Sequence, residues 1–442
     1  MQSTCGRTSA NCSRRVRSDA PAIRSRQALG CLFGLALASL LVFSAGTARA
    51  EAQTLVLRQA LALALDQNKE LAAFEYQLSE QDGRVLQAGL LPNPEFELEI
   101  EDMSGSGRYN EFDLSQTTLS LEWVLEGWIR RRRVGAGEAR ADLAALDARI
   151  LQLDVAAETA QRFLTCLANQ TRLTAADEAV ELAKQSQAAV ARRKRAGKTS
   201  SADRMRADAE LASSNLLRDH VEHELAADYR RLAAQWGEVE PGSFRVQGEL
   251  LTLPATRSFD ELAARLEQNP QLVRWVSEER LAEANLRLAE ARRWPTWHPK
   301  LGVRRYEATG DYAMVAKLRV DLPLFNRNQG QVSASRSVVA RTRADAEAAR
   351  VRVRTALFEL YEELQHHIHG AETLRGEVVP GLAGAMEEVR RGYERGRYSY
   401  LEWRLVQAEL LEARSELIEA SAGAHRLVVE LERLTGEQVA VP

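Results

Sequence analysis

The sequence predicts a mainly α-helical fold with a minor β component, in which one helix-strand-strand-helix-helix unit occurs twice. Two pairs of matching segments support this duplication. Asn68 and Asn269 each precede a helical segment, and the segments that begin at Gly197 and Gly396 both read Gly-x-x-Ser-x-x-acid. The spacing within these pairs is 201 and 199 residues. The composition, with 27% charged and 6% aromatic residues, is typical of long helices.

This pattern divides the chain into residues 1–50, a signal peptide; 51–240, the first repeat; 241–257, a linker; and 258–442, the second repeat. Each repeat begins with a helix. The following segments are predicted in order: strands at about 94–125, a long helix at 128–196 and a helix at 200–236, then strands at about 299–325, a long helix at 328–395 and a helix at 399–435.

The N-terminal segment has the features of a secretory signal. Arginines precede an apolar run over 28–43, and Ala48-Arg49-Ala50 supplies the small residues of a cleavage site. We expect export, with the mature chain beginning at Glu51; a membrane anchor is the weaker alternative. The cleaved segment contains seven arginines and one aspartate, so the formal charge falls from −3 to −9, which disfavours nucleic-acid binding. A lipid anchor is not expected, because Cys31 lies within the apolar run and does not follow it.

The predicted strands alternate between apolar and polar residues. In the first strand, Phe96, Leu98 and Ile100 occupy one face, and the opposite face, which we assign to a channel lumen, carries Glu95, Glu97, Glu99 and Glu101. A soluble sheet packed on helices shows the same alternation. The export signal, tryptophans near the strand ends and lengths of roughly ten residues favour a membrane strand. Four strands are too few to close a water-filled barrel, so several chains must share one.

The long helices end in two similar turns. In each turn, glycine ends one helix in the left-handed conformation, serine caps the next helix, and an acid at the third position completes a capping box. These residues are Gly197, Ser200 and Asp203 in the first turn and Gly396, Ser399 and Glu402 in the second. A helix of 69 residues is about 100 Å long. The turns are therefore exposed tips, each with a rim of basic residues, and candidate docking points for a partner protein.

Histidines supply the only weak candidates for metal ligands. They form two clusters, His220 with His223, and His366 with His367 and His369. Solvated surface histidines are the favoured interpretation, because both clusters lie among glutamates in long helices. The sequence contains no phosphate-binding loop, metalloprotease motif, nucleophile elbow or Cys-x-x-Cys pair, so we expect neither enzyme activity nor a cofactor.

Several short segments resemble the TolC family of outer-membrane efflux proteins. They are Leu91-Pro92-Asn93-Pro94-Glu95, the Leu322–Gly330 segment, and the two glycine-serine turns. Within the family, the residues of the first two segments are most similar to the heavy-metal, CzcC/CusC-like branch. The resemblance implies a homotrimer, a twelve-stranded β-barrel shared by three chains in outer-membrane lipid, and a periplasmic helical tunnel. It also implies docking to a periplasmic membrane-fusion adaptor, coupling to an inner-membrane RND pump, and export of divalent heavy-metal cations.

Two alternatives remain open at this stage. The same fold serves as an exit duct for drug efflux or type I protein secretion, which the residues do not distinguish from metal efflux. A periplasmic coiled-coil scaffold or adaptor with soluble β segments is the second alternative.

Overall fold

A computed structural model describes residues 53–437, which form nine α-helices and six β-strands. The predicted signal peptide, residues 1–50, lies outside the described residues. The mainly helical fold with some strands is confirmed. The elements are β1 (Gln53–Val56), α1 (Leu57–Gln67), α2 (Lys69–Gly89), β2 (Glu95–Glu101), β3 (Gln116–Glu122), α3 (Gly127–Arg195), α4 (Ser201–Ala233), β4 (Phe244–Gln247), α5 (Phe259–Arg265), α6 (Pro270–Ala291), β5 (Thr296–Tyr306), β6 (Tyr312–Asp321), α7 (Gln329–Thr373), α8 (Val379–Arg395) and α9 (Tyr400–Thr435).

Both repeats start their second helix with the same capping device. The Asn68 side chain accepts hydrogen bonds from the backbone N–H groups of Glu70 at 2.8 Å and Leu71 at 3.2 Å. The Asn269 side chain accepts one from Leu272 at 2.9 Å. Each asparagine thereby satisfies N–H groups that have no partner within the helix, which explains why α2 and α6 begin where they do.

Four strands form one antiparallel sheet in the order β2-β3-β5-β6. β5 and β6 have 11 and 10 residues, whereas β2 and β3 have only seven each and are shorter than predicted. β6 ends at Asp321 and not near residue 325, because Pro323 has no N–H to contribute to a ladder. At Gly302 an added Cβ would lie 2.6 Å from the carbonyl oxygen of Leu119, so the close approach of β3 to β5 requires glycine there.

A second, two-stranded sheet was not anticipated. β1 pairs with β4 in parallel, so the segment 241–257, predicted as a linker, contains a strand. The side chain of Gln170 in α3 forms hydrogen bonds with the backbone of β4, as a neighbouring strand would. It donates to the carbonyl oxygen of Val246 and accepts from the N–H of Val246, both at 2.9 Å. Strands of four residues are too short for their alternation to be recognised in the sequence.

The two long helices differ in continuity. α3 runs unbroken for 69 residues, but in the second repeat a single π-helical turn, Leu374–Val378, separates α7 from α8. The prediction of one regular helix over 328–395 was wrong at this point. Pro380, in the first turn of α8, has no N–H to donate to the carbonyl four residues earlier, and its ring crowds that carbonyl. A wider turn just before the proline relieves this conflict.

Buried apolar residues form three clusters along the helices. The first surrounds Phe163 and Trp236 beneath the β1–β4 pair, and the second surrounds Leu357 and Leu364 between α5, α7 and α9. The third lies at the two helical turns. Within residues 53–437, no helix has the length and apolar character needed to cross a membrane.

Candidate functional site

The antiparallel sheet exposes a continuous apolar face. Phe96, Leu98 and Ile100 of β2 are 65%, 57% and 45% exposed. The other three strands extend this surface with further exposed residues: Leu119, Leu301, Val303, Met314 and Leu318. Apolar surface on this scale is unfavourable in water and is typical of contact with lipid or with another protein. At the end of the sheet, Trp128 and Trp294 pack edge to face with ring centroids 6.1 Å apart.

The opposite face is a network of charges centred on Glu122, which is buried. Its carboxylate contacts Arg319 at 2.9 Å, His298 at 3.3 Å and Lys300 at 3.5 Å. His298 Nε2 donates to Asp321 at 3.1 Å, and Arg319 donates to His298 Nδ1 at 3.1 Å. Three strands therefore supply one connected cluster, in which the carboxylates are matched by cations of the same chain.

Two of the four predicted lumen glutamates belong to this paired system. Lys300 binds Glu97, and Arg304 binds Glu101 at 2.7 Å. Arg304 also donates to Thr118 and Gln116 of β3 at 2.8 and 2.9 Å. Within residues 53–437, Glu95 and Glu99 form no salt bridge.

The partners of these glutamates were missed in the sequence. His298, Lys300 and Arg304 alternate along β5, but Gly302 and Pro299 interrupt the pattern. Counted from the register, the polar face carries six carboxylates and four Lys or Arg side chains, a formal balance of −2. The carboxylates are Glu95, Glu97, Glu99, Glu101, Glu122 and Asp321, and the cations are Lys300, Arg304, Lys317 and Arg319.

At the other end of the helices, the two turns have nearly identical backbones. Gly197 has φ +68° and Gly396 has φ +84°. In the first turn the N–H of Lys198 donates to the carbonyl of Arg193 at 2.9 Å, and in the second the N–H of Arg397 donates to Gly392 at 2.8 Å. These six-to-one bonds define the Schellman ending of α3 and α8 and require a left-handed residue, which glycine supplies without strain.

Both capping boxes are formed. The hydroxyl oxygens of Ser200 and Ser399 accept from the backbone N–H groups of Asp203 at 3.0 Å and Glu402 at 3.2 Å. The N–H of Ser399 donates to the Glu402 carboxylate at 2.7 Å. This backbone hydrogen bond is the main reason that the pKa of Glu402 is lowered, and a hydrogen bond from the serine hydroxyl adds to the effect. At Asp203, partial burial by itself would raise the pKa, but hydrogen bonds from Thr199 and Ser200 outweigh the burial, so the pKa of Asp203 is lowered.

The two turns pack on each other through an aromatic cluster that the sequence analysis did not identify. Tyr393, Tyr400 and Trp403 are buried against the small residues Ala189, Val190 and Ala207 of α3 and α4. Arg193 of the first turn lies with its guanidinium 4.7 Å from the centroid of the Tyr393 ring and donates to the Tyr393 carbonyl. Burial raises the pKa of Tyr393 and of Tyr400. The two turns, residues 196–200 and 396–399, are thus joined at one end of the helices, here called the joint tip.

A sheet with an apolar outer face, long helical hairpins and glycine-serine turns together match one known family. The family described as outer membrane efflux protein matches residues 60–238 and 262–437. The chain belongs to this family. The two matched segments correspond to the two repeats, so the resemblance stated from the sequence is confirmed.

Two curated relatives of this outer membrane efflux protein carry names that refer to metals. The chain is 27% identical over 388 residues to the cobalt-zinc-cadmium resistance protein CzcC of Cupriavidus metallidurans, covering 88% of this chain and 91% of the relative. It is 25% identical over 329 residues to the nickel-cobalt-cadmium resistance protein NccC of Alcaligenes xylosoxydans xylosoxydans, covering 73% and 72%.

Solved structures show the same fold at low identity. CusC matches with a TM-score of 0.74 and 17% identity over 86% of this chain and 92% of that chain. VceC of Vibrio cholerae matches with a TM-score of 0.73 and 16% identity over 87% and 97%. The fold of this outer membrane efflux protein is therefore TolC-like, and the two curated relatives support the heavy-metal branch.

The histidines of this efflux protein do not converge. His220, His223, His366 and His369 are exposed, whereas His367 packs over Gly423 of α9, where an added Cβ would lie 2.5 Å from its ring. Over residues 53–437, no group of three or more His, Cys, Asp or Glu side chains is arranged to hold a metal ion.

One further histidine has a structural role. His425, buried in α9, donates from Nε2 to the carbonyls of Leu250 and Thr252 at 3.1 and 2.9 Å, and burial lowers its pKa. These two hydrogen bonds connect the segment after β4 to α9.

Proposed function

We propose that the chain forms, as a homotrimer, the outer-membrane channel of a tripartite RND-type efflux system. In this proposal the four strands β2, β3, β5 and β6 of each chain contribute to a shared twelve-stranded barrel. The helices form a periplasmic tunnel, and the joint tip docks a periplasmic adaptor that connects to an inner-membrane pump. Membership of the outer membrane efflux family supports the role of the whole chain.

One observation carries the proposal: the sheet is apolar on its exposed face and charged on the face where its ion pairs lie. A soluble sheet would bury its apolar face against helices, but here Phe96, Leu98 and Met314 remain exposed. The polar face matches the water-filled interior of a barrel. β2 and β6 are the edge strands of the four-stranded sheet, so each has an edge that another chain can pair.

The assembly is tested by native mass measurement of the purified protein with and without detergent. We expect a trimer that requires detergent. A monomer that stays soluble without detergent would favour the periplasmic scaffold alternative, because such a protein has no need to shield an apolar sheet.

The cargo is proposed to be divalent heavy-metal cations, on the basis of the names of the two curated relatives. The test is a deletion strain that lacks redundant homologues. We expect lower tolerance of cobalt, zinc, cadmium and nickel, restored by the intact gene. A strain with unchanged metal tolerance but greater sensitivity to drugs, or with a lost secreted protein, would favour drug efflux or type I secretion.

The polar face of the sheet supports a modest preference of the channel for cations. With a balance of −2 in each chain, it attracts cations, but its internal ion pairs cancel most of the field. Conductance of the reconstituted trimer should favour cations weakly. Replacing Glu95 and Glu99 by glutamine should reduce that preference without disturbing the Glu122 cluster, and an anion-selective wild-type channel would show that this face does not line the pore.

A further inference from the structure

The joint tip carries charges that the rest of the chain does not neutralise. Six basic side chains surround it and are exposed: Arg192, Lys194, Arg195, Lys198, Arg395 and Arg397. None of the six forms a salt bridge with any residue between 53 and 437. Away from the tip, arginines of α4 and α9, the second helices of the two hairpins, are often paired, as Arg218 is with Glu222 at 2.6 Å and Arg414 with Glu178 at 2.7 Å.

The acids of the joint tip are already occupied. Asp203 and Glu402 are held by their capping serines, and Glu394 lies 3.5 Å from Arg390. The six unpaired basic side chains outnumber the two capping carboxylates, so the tip has a net positive surface. This surface lies above the buried aromatic cluster, which packs the two turns against each other.

Helix stabilisation accounts for only part of this pattern. Cations in the last turn of a helix interact favourably with its dipole, which explains one or two of the residues at the end of α3 and of α8. Lys198 and Arg397 lie beyond those helix ends, on the turns themselves. Arg193 is the one basic residue of the α3 end that is used internally, since it contacts Tyr393.

We infer that the joint tip recognises the adaptor by charge, and that the docking surface of the adaptor is rich in carboxylates. This inference rests on the proposed function, because it assigns the chemistry of the surface that the adaptor must present. The aromatic cluster already positions the two turns, so their backbones need no rearrangement on binding, and complementary charges speed encounter and fix register. Binding should therefore weaken as the salt concentration rises.

The test uses a full-length periplasmic membrane-fusion adaptor purified from the same organism as the probe. It measures the affinity of this adaptor for the detergent-purified channel at 50 and 500 mM NaCl. A quartet variant, R192Q/K194Q/R195Q/K198Q, should bind about tenfold more weakly at low salt and show a flatter salt dependence. The variant R192K/R195K keeps the charges and should bind as the wild type does. A matched control, R280Q/R341Q/R352Q/R354Q, removes four exposed basic residues of α6 and α7 and should change affinity less than twofold.

The outcomes separate this inference from the proposed function. If the wild-type channel binds the adaptor with the same affinity at both salt concentrations, and the quartet variant binds as tightly as the wild type, the charge-based inference alone is overturned. Wild-type channel that does not bind the adaptor overturns the inference and the proposed docking together. A quartet variant that keeps adaptor binding but loses binding to purified peptidoglycan overturns the inference in favour of an envelope polymer as the acidic partner. Native mass measurement of each variant checks that the assembly is unchanged.

Discussion

The polar face of the sheet and the joint tip both concentrate charge, but they balance it differently. On the sheet, buried Glu122 has three cationic or titratable neighbours in the same chain, and Glu97 and Glu101 are each paired. At the tip, six basic side chains have no such partner within residues 53–437. The sheet network is satisfied internally and can stabilise the strands, whereas the tip charges remain available to a partner molecule.

The largest effect should come from removing the centre of the sheet network. Glu122→Gln leaves Lys300 and Arg319 without their shared carboxylate. We expect a loss of about 2–3 kcal/mol, less than is typical for a fully buried pair because Arg319 is half exposed. The thermal midpoint of the detergent-solubilised assembly is the measurement. Glu99→Gln, at an exposed position without a salt bridge in the described chain, is the control, and equal midpoints for the two variants would show that the network does not stabilise the sheet.

The next effect concerns the backbone of the joint tip. Gly197→Val or Gly396→Val places a β-branched residue at positive φ, which costs about 1–3 kcal/mol locally. An added Cβ at Gly197 meets no atom within 4 Å, so strain and not collision is the cause. Adaptor affinity should fall while the native mass stays the same. If both variants bind the adaptor normally, docking does not depend on the turn geometry.

A smaller effect is expected where the two turns meet. Arg193→Gln removes both the cation-π contact with Tyr393 and the guanidinium hydrogen bond to its carbonyl, together about 1–2 kcal/mol. Hydrogen exchange of residues 390–400 should become faster, while exchange in β5 and β6 is unchanged. Arg192→Gln is the matched control, because Arg192 is exposed and lacks a salt bridge in the described chain. Equal exchange in the two variants would contradict a joining role for Arg193.

The smallest effect is a pH dependence confined to the caps. The pKa values of Asp203 and Glu402 are lowered in the folded state, so their contribution is complete above the ordinary carboxyl values near pH 4. It disappears as the pH falls through the folded pKa values. Hydrogen exchange at 200–204 and 399–403, corrected for intrinsic rates, should show less protection at pH 3 than at pH 7. In Asp203→Asn and Glu402→Gln, this pH-dependent difference should vanish; its persistence would assign it to other groups.

Local features of the fold could be predicted from the sequence because they depend on neighbouring residues. The glycine and serine of each turn and the alternation of β2 act within a few positions, and the structure has the corresponding turns, caps and strand. The duplication is visible because similar local sequence features recur at nearly the same spacing, 201 and 199 residues.

Contacts between distant residues were decided only by the tertiary structure. Lys300 reaches Glu97 across 203 positions of sequence, and Arg193 reaches Tyr393 across 200. Periodicity tells which face a strand residue occupies, but it does not give the register between strands, and register determines which charges meet. The same limit hid the aromatic base of the joint tip, whereas β1 and β4 were missed because they have only four residues each. The sequence by itself determined the longer helices and strands and the two faces of β2, and the packing of those elements determined which charges are paired and which remain for a partner.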